Sequence, residues 1–397
     1  MHRSRAVGGL GGLVAVIGWV AAWLGLLFAA KAQAASPADE ITARVTAVAK
    51  QLGQPALGPR TEVAAAAQEI LSQTSDGTQP PFAVIQRELL RKQVVEPVHR
   101  QILAGFATAD PGSLLEGLDP VLRQAFADRK WRWFGVATAA FRGDPERSRL
   151  LILLIESGLD LLPPPAAVGP ESAPVPLKGS LLAPFDRPQV MITDPQDRIT
   201  PLAIEVKGRA FSGLLRCDSV GLYKIEVIGE SAQGPHVLAN FFWPCGTTLP
   251  SLPQKFAMPI QKVERTIPAS EAELLRLLNQ DRKIAGLEPL THDPRLAKIA
   301  RAHSEEMAKK RSVFHHSPTT GTPEDRIRRA RIKNSMLAEN LAQAGSEEEA
   351  ERSLMDSPGH RRNILDPQLK KVGIGVATAK TPHGSVQLYI TQLFLTP

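Results

Sequence analysis

The sequence predicts an α+β protein in three segments, and three observations carry that reading. At both ends, residues with helical apolar spacing come first and strand-like runs come last. In the middle, short apolar runs alternate with Gly, Pro and Asp turns. Helices followed by a closing hairpin fit a layered α+β domain. Regularly spaced short strands fit an antiparallel β-sandwich.

The first segment is residues 37–165. Helical periodicity runs through 42–52, 61–71 and 86–106, a strand-like run covers 150–155, and Pro163-Pro164-Pro165 closes the segment. The second is residues 176–255, with apolar runs at 189–193, 203–207, 221–228 and 237–243. It reads as an immunoglobulin-like sandwich serving as a spacer or adhesion-like module. Within it Leu222, Lys224 and Glu226 share one strand face and Tyr223, Ile225 and Val227 the other. The third is residues 268–397. Ser270 and Glu273 read as a capping box, and Asp293-Pro294 as an N-cap with proline at the first helical position. Leu296, Ile299, Ala300, His303 and Met307 then form one helical stripe, on which His303 reads as a core histidine. Runs 372–377 and 386–395 alternate as strands.

A chain of 397 residues allows two to four domains, and 43% hydrophobic with 22% charged residues supports packed cores. The 33 prolines concentrate between residues 161 and 201. The net charge of +7 favours anionic surfaces such as lipid headgroups or wall polymers. Nucleic acid is not expected as a partner. Arg326, Arg328, Arg329, Arg331 and Lys333 read as a solvated face, with an anionic-polymer patch as the alternative.

His2, Arg3 and Arg5 precede an uncharged apolar run over residues 6–30, and Ala32-Gln33-Ala34 offers a small-x-small cleavage site. Residues 1–34 therefore read as a secretory signal peptide; the run is also long enough for an uncleaved membrane anchor. Either puts the rest of the chain outside the cytoplasm, as a secreted, periplasmic or membrane-anchored protein. Cys217 and Cys245 are expected to pair there.

The third segment carries an ordered set of motifs. These are Leu278-Asn279-Gln280-Asp281-Arg282, Gly286-Leu287-Glu288-Pro289-Leu290, Ala302-His303-Ser304-Glu305-Glu306-Met307 and Phe314-His315-His316-Ser317-Pro318. Glu339-Asn340-Leu341-Ala342, Ser357-Pro358-Gly359-His360-Arg361, Val372-Gly373-Ile374-Gly375-Val376 and Tyr389-Ile390-Thr391-Gln392-Leu393-Phe394 follow. Together they resemble the CAP superfamily, also called the SCP domain, in its bacterial form. The resemblance implies an α-β-α sandwich and a cleft where two His and two Glu converge.

Carried over, the first His maps to His316, with His315 as fallback; the first Glu maps to Glu339; and His360 matches the bacterial Ser-Pro-Gly-His motif. The family's second Glu falls at Ser357 and its second His at Tyr389, so at most three members remain. Three such ligands would suit a divalent metal such as zinc, and the same set suits metal-free polar recognition. Structural readings stand beside these. Glu339 could serve buried backbone amides, and His360 could be a helix N-terminal residue.

The first segment reads as a worn copy of the last. Gly135-Val136-Ala137-Thr138-Ala139 repeats Gly375-Val376-Ala377-Thr378-Ala379, and Gly53-Gln54-Pro55-Ala56-Leu57 parallels residues 286–290. On that alignment Ser72 stands for His316, Gln101 for Glu339 and Leu122 for His360. The N-terminal copy is then a degenerate CAP-like α+β domain without the cluster.

No nucleophile elbow, phosphate loop, HExxH or Cys/His pair is present. The expected function is an exported, non-enzymatic envelope or extracellular binding protein, with a lipid, wall component or protein as ligand. The alternative is a metal-dependent hydrolase using His316, Glu339 and His360.

Overall fold

The computed structural model describes residues 36–54, 56–76, 78–80, 82–97, 99–128, 130–164, 168–249, 265–380 and 386–397. The expected signal segment, residues 1–34, lies outside them.

The first unit runs α1 (Pro37–Gln51), β1 (Gly58–Pro59), α2 (Thr61–Gln73), α3 (Phe82–Arg91), β2 (His99–Ala107), α4 (Pro111–Asp128), β3 (Trp133–Phe141) and β4 (Asp144–Ile155). The sheet order is β1-β3-β4-β2, with β1 parallel to β3. The run from Leu150 to Ile155 is continuous in apolar residues because β4 is covered on both faces. Leu150, Ile152 and Leu154 join the core of α1 and α4; Leu151, Leu153 and Ile155 join that of α2 and α3. The helix expected over 86–106 is only half present. Gln93 takes a left-handed φ of 59°, Pro97 follows, and residues 99–107 pair with β4 instead.

The middle unit holds β5 (Leu159–Leu162), β6 (Val175–Leu181), β7 (Asp186–Thr193), β8 (Ile199–Pro201), β9 (Ile204–Lys207), β10 (Ala210–Leu215), β11 (Gly221–Ser231) and β12 (Gly234–Cys245). They form two four-stranded sheets, β5-β6-β10-β9 and β12-β11-β7-β8. β5 pairs with β6, so residues 159–162 belong to the sandwich rather than to the first segment. Between the sheets lie Leu177, Phe211, Ile225, Val227 and Trp243. A Cys217–Cys245 disulfide links the end of β10 to the end of β12.

The last unit comprises α5 (Ile267–Ile284), β13 (Thr291–His292), α6 (Pro294–Lys310), α7 (Pro323–Arg329), β14 (Met336–Ala344), α8 (Glu347–Asp356), α9 (Pro358–Ile364), β15 (Lys371–Lys380) and β16 (Val386–Thr396). Asp293 caps α6, accepting from the amides of Arg295 and Leu296. The expected capping box at Ser270 and Glu273 is absent. Pro268 fits the first turn of α5, so the helix begins at Ile267; Ser270 is buried inside it and Glu273 pairs with Arg276.

The last sheet is ordered β13-β15-β16-β14, with β13 parallel to β15. Each element of the first unit's sheet thus has a counterpart in the same place. Gly135 and Gly373 show the register. A Cβ on Gly135 would strike the backbone of Val63 and Ala64 in α2, and one on Gly373 the backbone of Leu296 and Ala297 in α6. The structural partner of Gly135 is therefore Gly373, not Gly375. The identical pentamers are two residues out of register, one full strand period, which preserves which face each side chain occupies. The Ser72 correspondence also fails, since Ser72 lies within α2 whereas His316 follows the end of α6. Gln101 and Glu339 do share a place. Gln101 pairs with Leu153, the partner of Gly135; Glu339 pairs with Leu393, the partner of Gly373.

Candidate functional site

The site starts from β14, which points the Glu339 carboxylate into the domain, its side chain 2% exposed. Arg326 comes from α7. Thr322 and Asp325 form a reciprocal capping box that fixes this short helix, and the Arg326 guanidinium meets Glu339 Oε2 in a buried ion pair. Its Nη1 also donates to the carbonyls of His315 and Gly321, both at 3.1 Å. The other carboxylate oxygen, Oε1, lies 2.9 Å from His315 Nδ1. Burial opposes ionisation of Glu339, but the hydrogen bond from His315 and the charges of His315, Arg326 and His303 outweigh it. The carboxyl is held below its ordinary value.

The loop carrying His315 is set by neighbours on α6. His303 is buried, and its Nε2 lies 2.8 Å from the Phe314 carbonyl. Burial lowers its pKa. Ser317 donates to Glu306 at 2.6 Å and accepts from the amides of Thr319 and Thr320.

A second cluster lies at the start of α9. His360 Nδ1 is 2.7 Å from Ser357 Oγ, and Ser357 Oγ donates in turn to the carboxylate of Glu226, on β11. The amide of Gly359 donates to the other Glu226 oxygen at 2.8 Å. Burial, then the charge of His315, pushes His360 down to about 3. Burial moves Glu226 the other way, up from its ordinary value, because here the bonds from Ser357 and Gly359 do not compensate.

Of the residues expected at the site, Glu339 meets His315 rather than His316. His316 lies against Gly234 in the β11–β12 turn, and its amide donates to Gln233 O. His360 belongs to the Ser357 cluster. Tyr389 is 3% exposed and packs with Met307, Phe314 and Leu341 in an apolar cluster. Among the described residues no group of three His, Cys, Asp or Glu side chains is disposed to hold a metal ion. The set does not fit one. The Glu339 carboxylate has one oxygen on the His315 ring and the other on a guanidinium, so a cation there would face Arg326.

Two residues escaped sequence reasoning. Arg326 sits in a basic run that reads as solvated, yet it is 6% exposed. The Thr-x-x-Asp cap before it was the available signal, since it places Arg326 one turn into a helix. Glu226 shares a strand face with Lys224, and that face is covered by α9; only tertiary packing reveals this.

These features define a domain with helices on both faces of a four-stranded sheet and a buried polar cluster around Glu339. Residues 275–394 match the family CAP, the cysteine-rich secretory protein family. Residues 275–394 are therefore a CAP domain. The uncharacterized protein YkwD of Bacillus subtilis is 38% identical over 111 residues, covering 28% of this chain and 43% of that protein. The uncharacterized membrane protein YlbC of the same species is 29% identical over 121 residues, covering 30% and 35%. The chain thus spans less than half the length of these curated relatives. Among solved structures, an extracellular SCP-domain protein from Bacillus anthracis is similar at 19% identity and a TM-score of 0.31, covering 59% of this chain and 88% of that one. An outer surface protein from Borrelia burgdorferi is similar at 22% identity and a TM-score of 0.28, covering 32% and 90%.

Proposed function

We propose that this chain is an exported, multi-module binding protein of the envelope or extracellular space, and that its CAP domain recognises rather than catalyses. The observation that carries the reading is the state of Glu339. A general base needs a carboxylate of sufficient basicity, and a metal ligand needs an approach free of other cations. Here one carboxylate oxygen faces Arg326 and the other His315. Ser357, the hydroxyl beside His360, donates to Glu226 and has 5% of its surface exposed, which does not suit a nucleophile. Export is supported by the N-terminal basic and apolar segments and by the disulfide, which persists in oxidising compartments. In the same reading the N-terminal unit is a worn copy of the CAP fold, supported by its strand order and by the shared place of Gln101 and Glu339.

Zinc titration by calorimetry tests the choice between binding and metal-dependent hydrolysis, using the full chain, His315→Ala and Glu339→Gln. The expected result is no uptake that depends on either residue. Stoichiometric zinc binding abolished by both substitutions would overturn the metal-free reading and reopen metal-dependent hydrolysis.

A further inference from the structure

The sandwich and the CAP domain meet through two glycines, one on each side. Gly234, in the β11–β12 turn, has a left-handed φ of 98°. The atoms nearest a Cβ there belong to the CAP domain, with His315 Cβ at 2.8 Å and the His316 ring at 3.3 Å. Gly359, in the first turn of α9, needs no unusual backbone. The atoms nearest a Cβ on it belong to the sandwich, with Glu226 Oε1 at 2.8 Å and Ile228 at 3.6 Å. Each module has a missing side chain where the other enters.

Several polar groups pair across this contact. The amides of His315 and His316 both donate to Gln233 O at 3.0 Å. Asn240 Nδ2 donates to Asp356 O at 3.2 Å, and Lys224 pairs with the Asp356 carboxylate. Arg361 pairs with Asp197 at 2.8 Å. Glu226 is 0% exposed, and both its oxygens are served from the CAP side. A carboxyl group at such depth needs hydrogen-bond donors, and these come from a different module.

We propose that the polar face of the CAP domain is a docking surface for a β-hairpin, that its occupant is the chain's own β11–β12 hairpin, and that Glu226 is the anchoring residue. This rests on reading that face as a binding surface, and it names the partner. The chemistry recognised is a carboxylate, taken by Ser357 Oγ and Gly359 N, together with a turn carbonyl, taken by two successive amides. The two modules then move as one body, and this face is closed to outside ligands while the hairpin is seated.

Amide hydrogen exchange on the full chain, resolved by segment, tests the proposal in wild type, Gly359→Ala and Glu226→Ala. Wild type should protect residues 231–234, 313–317 and 357–360. Gly359→Ala blocks the carboxylate with an allowed helical residue, and Glu226→Ala removes it from the opposite side. Each should raise exchange in all three segments by about tenfold or more, with residues 386–396 unchanged. Wild-type levels in both variants would overturn the proposal, as would free exchange of these segments in wild type. Should Gly359→Ala also loosen residues 386–396, Glu226→Ala decides, because it leaves the CAP domain's own residues intact. Failure here leaves the zinc result untouched, so the two readings fail separately.

Discussion

The N-terminal unit and the CAP domain share a strand order, a parallel first strand and a glycine beneath a helix, yet they differ at the sheet position that matters chemically. In the CAP domain that position is Glu339, bound to Arg326 and His315. In the N-terminal unit it is Gln101, whose amide donates to Pro80 O at 3.1 Å. The N-terminal unit keeps its buried charge elsewhere, with Glu88 on α3 held by Arg87 and Arg91. The contrast separates two kinds of constraint. Packing of helices on a sheet requires a small residue at one place and alternating apolar residues along the strands. A buried polar cluster is required by none of that and can be exchanged without loss of the scaffold.

The largest test of this contrast is removal of the side chain at the shared position. Glu339→Ala leaves the Arg326 guanidinium buried with only carbonyl partners. Breaking a buried pair from one side costs about 3–5 kcal/mol. Gln101→Ala removes one neutral hydrogen bond, worth about 0.5–1.5 kcal/mol. Urea unfolding, followed by exchange at β15–β16 and at β3–β4, should show that difference. Equal costs at the two positions would mean that Glu339 carries no buried charge worth the name.

Next in size is the shared packing. Gly135→Ala and Gly373→Ala each push a methyl group into helix backbone, and overpacking of this kind costs about 1–3 kcal/mol. If the two units are copies of one scaffold, the costs should agree within about 1 kcal/mol. A large loss at Gly373 with none at Gly135 would break the equivalence, since Gly135 would then be a glycine of convenience.

What the sequence showed follows the same division. The run at 150–155, the Asp293-Pro294 cap and the closing strands of the CAP domain are local patterns, and the structure holds them at those places. The strand at 99–107 was hidden because its partner β4 lies more than forty residues later, and apolar spacing alone did not tell it from a continuing helix. Glu339 was legible as a site residue, but its partners were not. His315 and His316 are adjacent in sequence, and which one turns inward depends on Gln233 and Gly234 of another module. Arg326 was hidden by its basic neighbours, and Glu226 by lying in a module that sequence reading treated as a spacer.

The smallest effect concerns a carboxyl that the CAP domain buries without a cation. Glu351, on α8, is 3% exposed. The amide of Gln392 donates to its Oε2 at 2.8 Å, and Oε1 has no hydrogen-bond partner among the described residues. Burial, with Asp281 nearby, pushes it up to about 8 from an ordinary 4.5. Native protein therefore keeps this proton between about pH 4.5 and 8, whereas the unfolded chain releases it. The contribution of Glu351 to stability is full below 4.5 and is lost as pH rises through about 8. Glu351→Gln keeps the amide contact and removes the titration. It should flatten the decline of CAP-domain stability above pH 4.5, with a gain of about 2 kcal/mol already at pH 6 and little change at pH 4. Glu351 lies in the CAP domain, so the substitution should leave exchange at β3–β4 of the N-terminal unit unaltered at every pH. A gain of equal size at pH 4 would show that Glu351→Gln acts through packing and not through the proton.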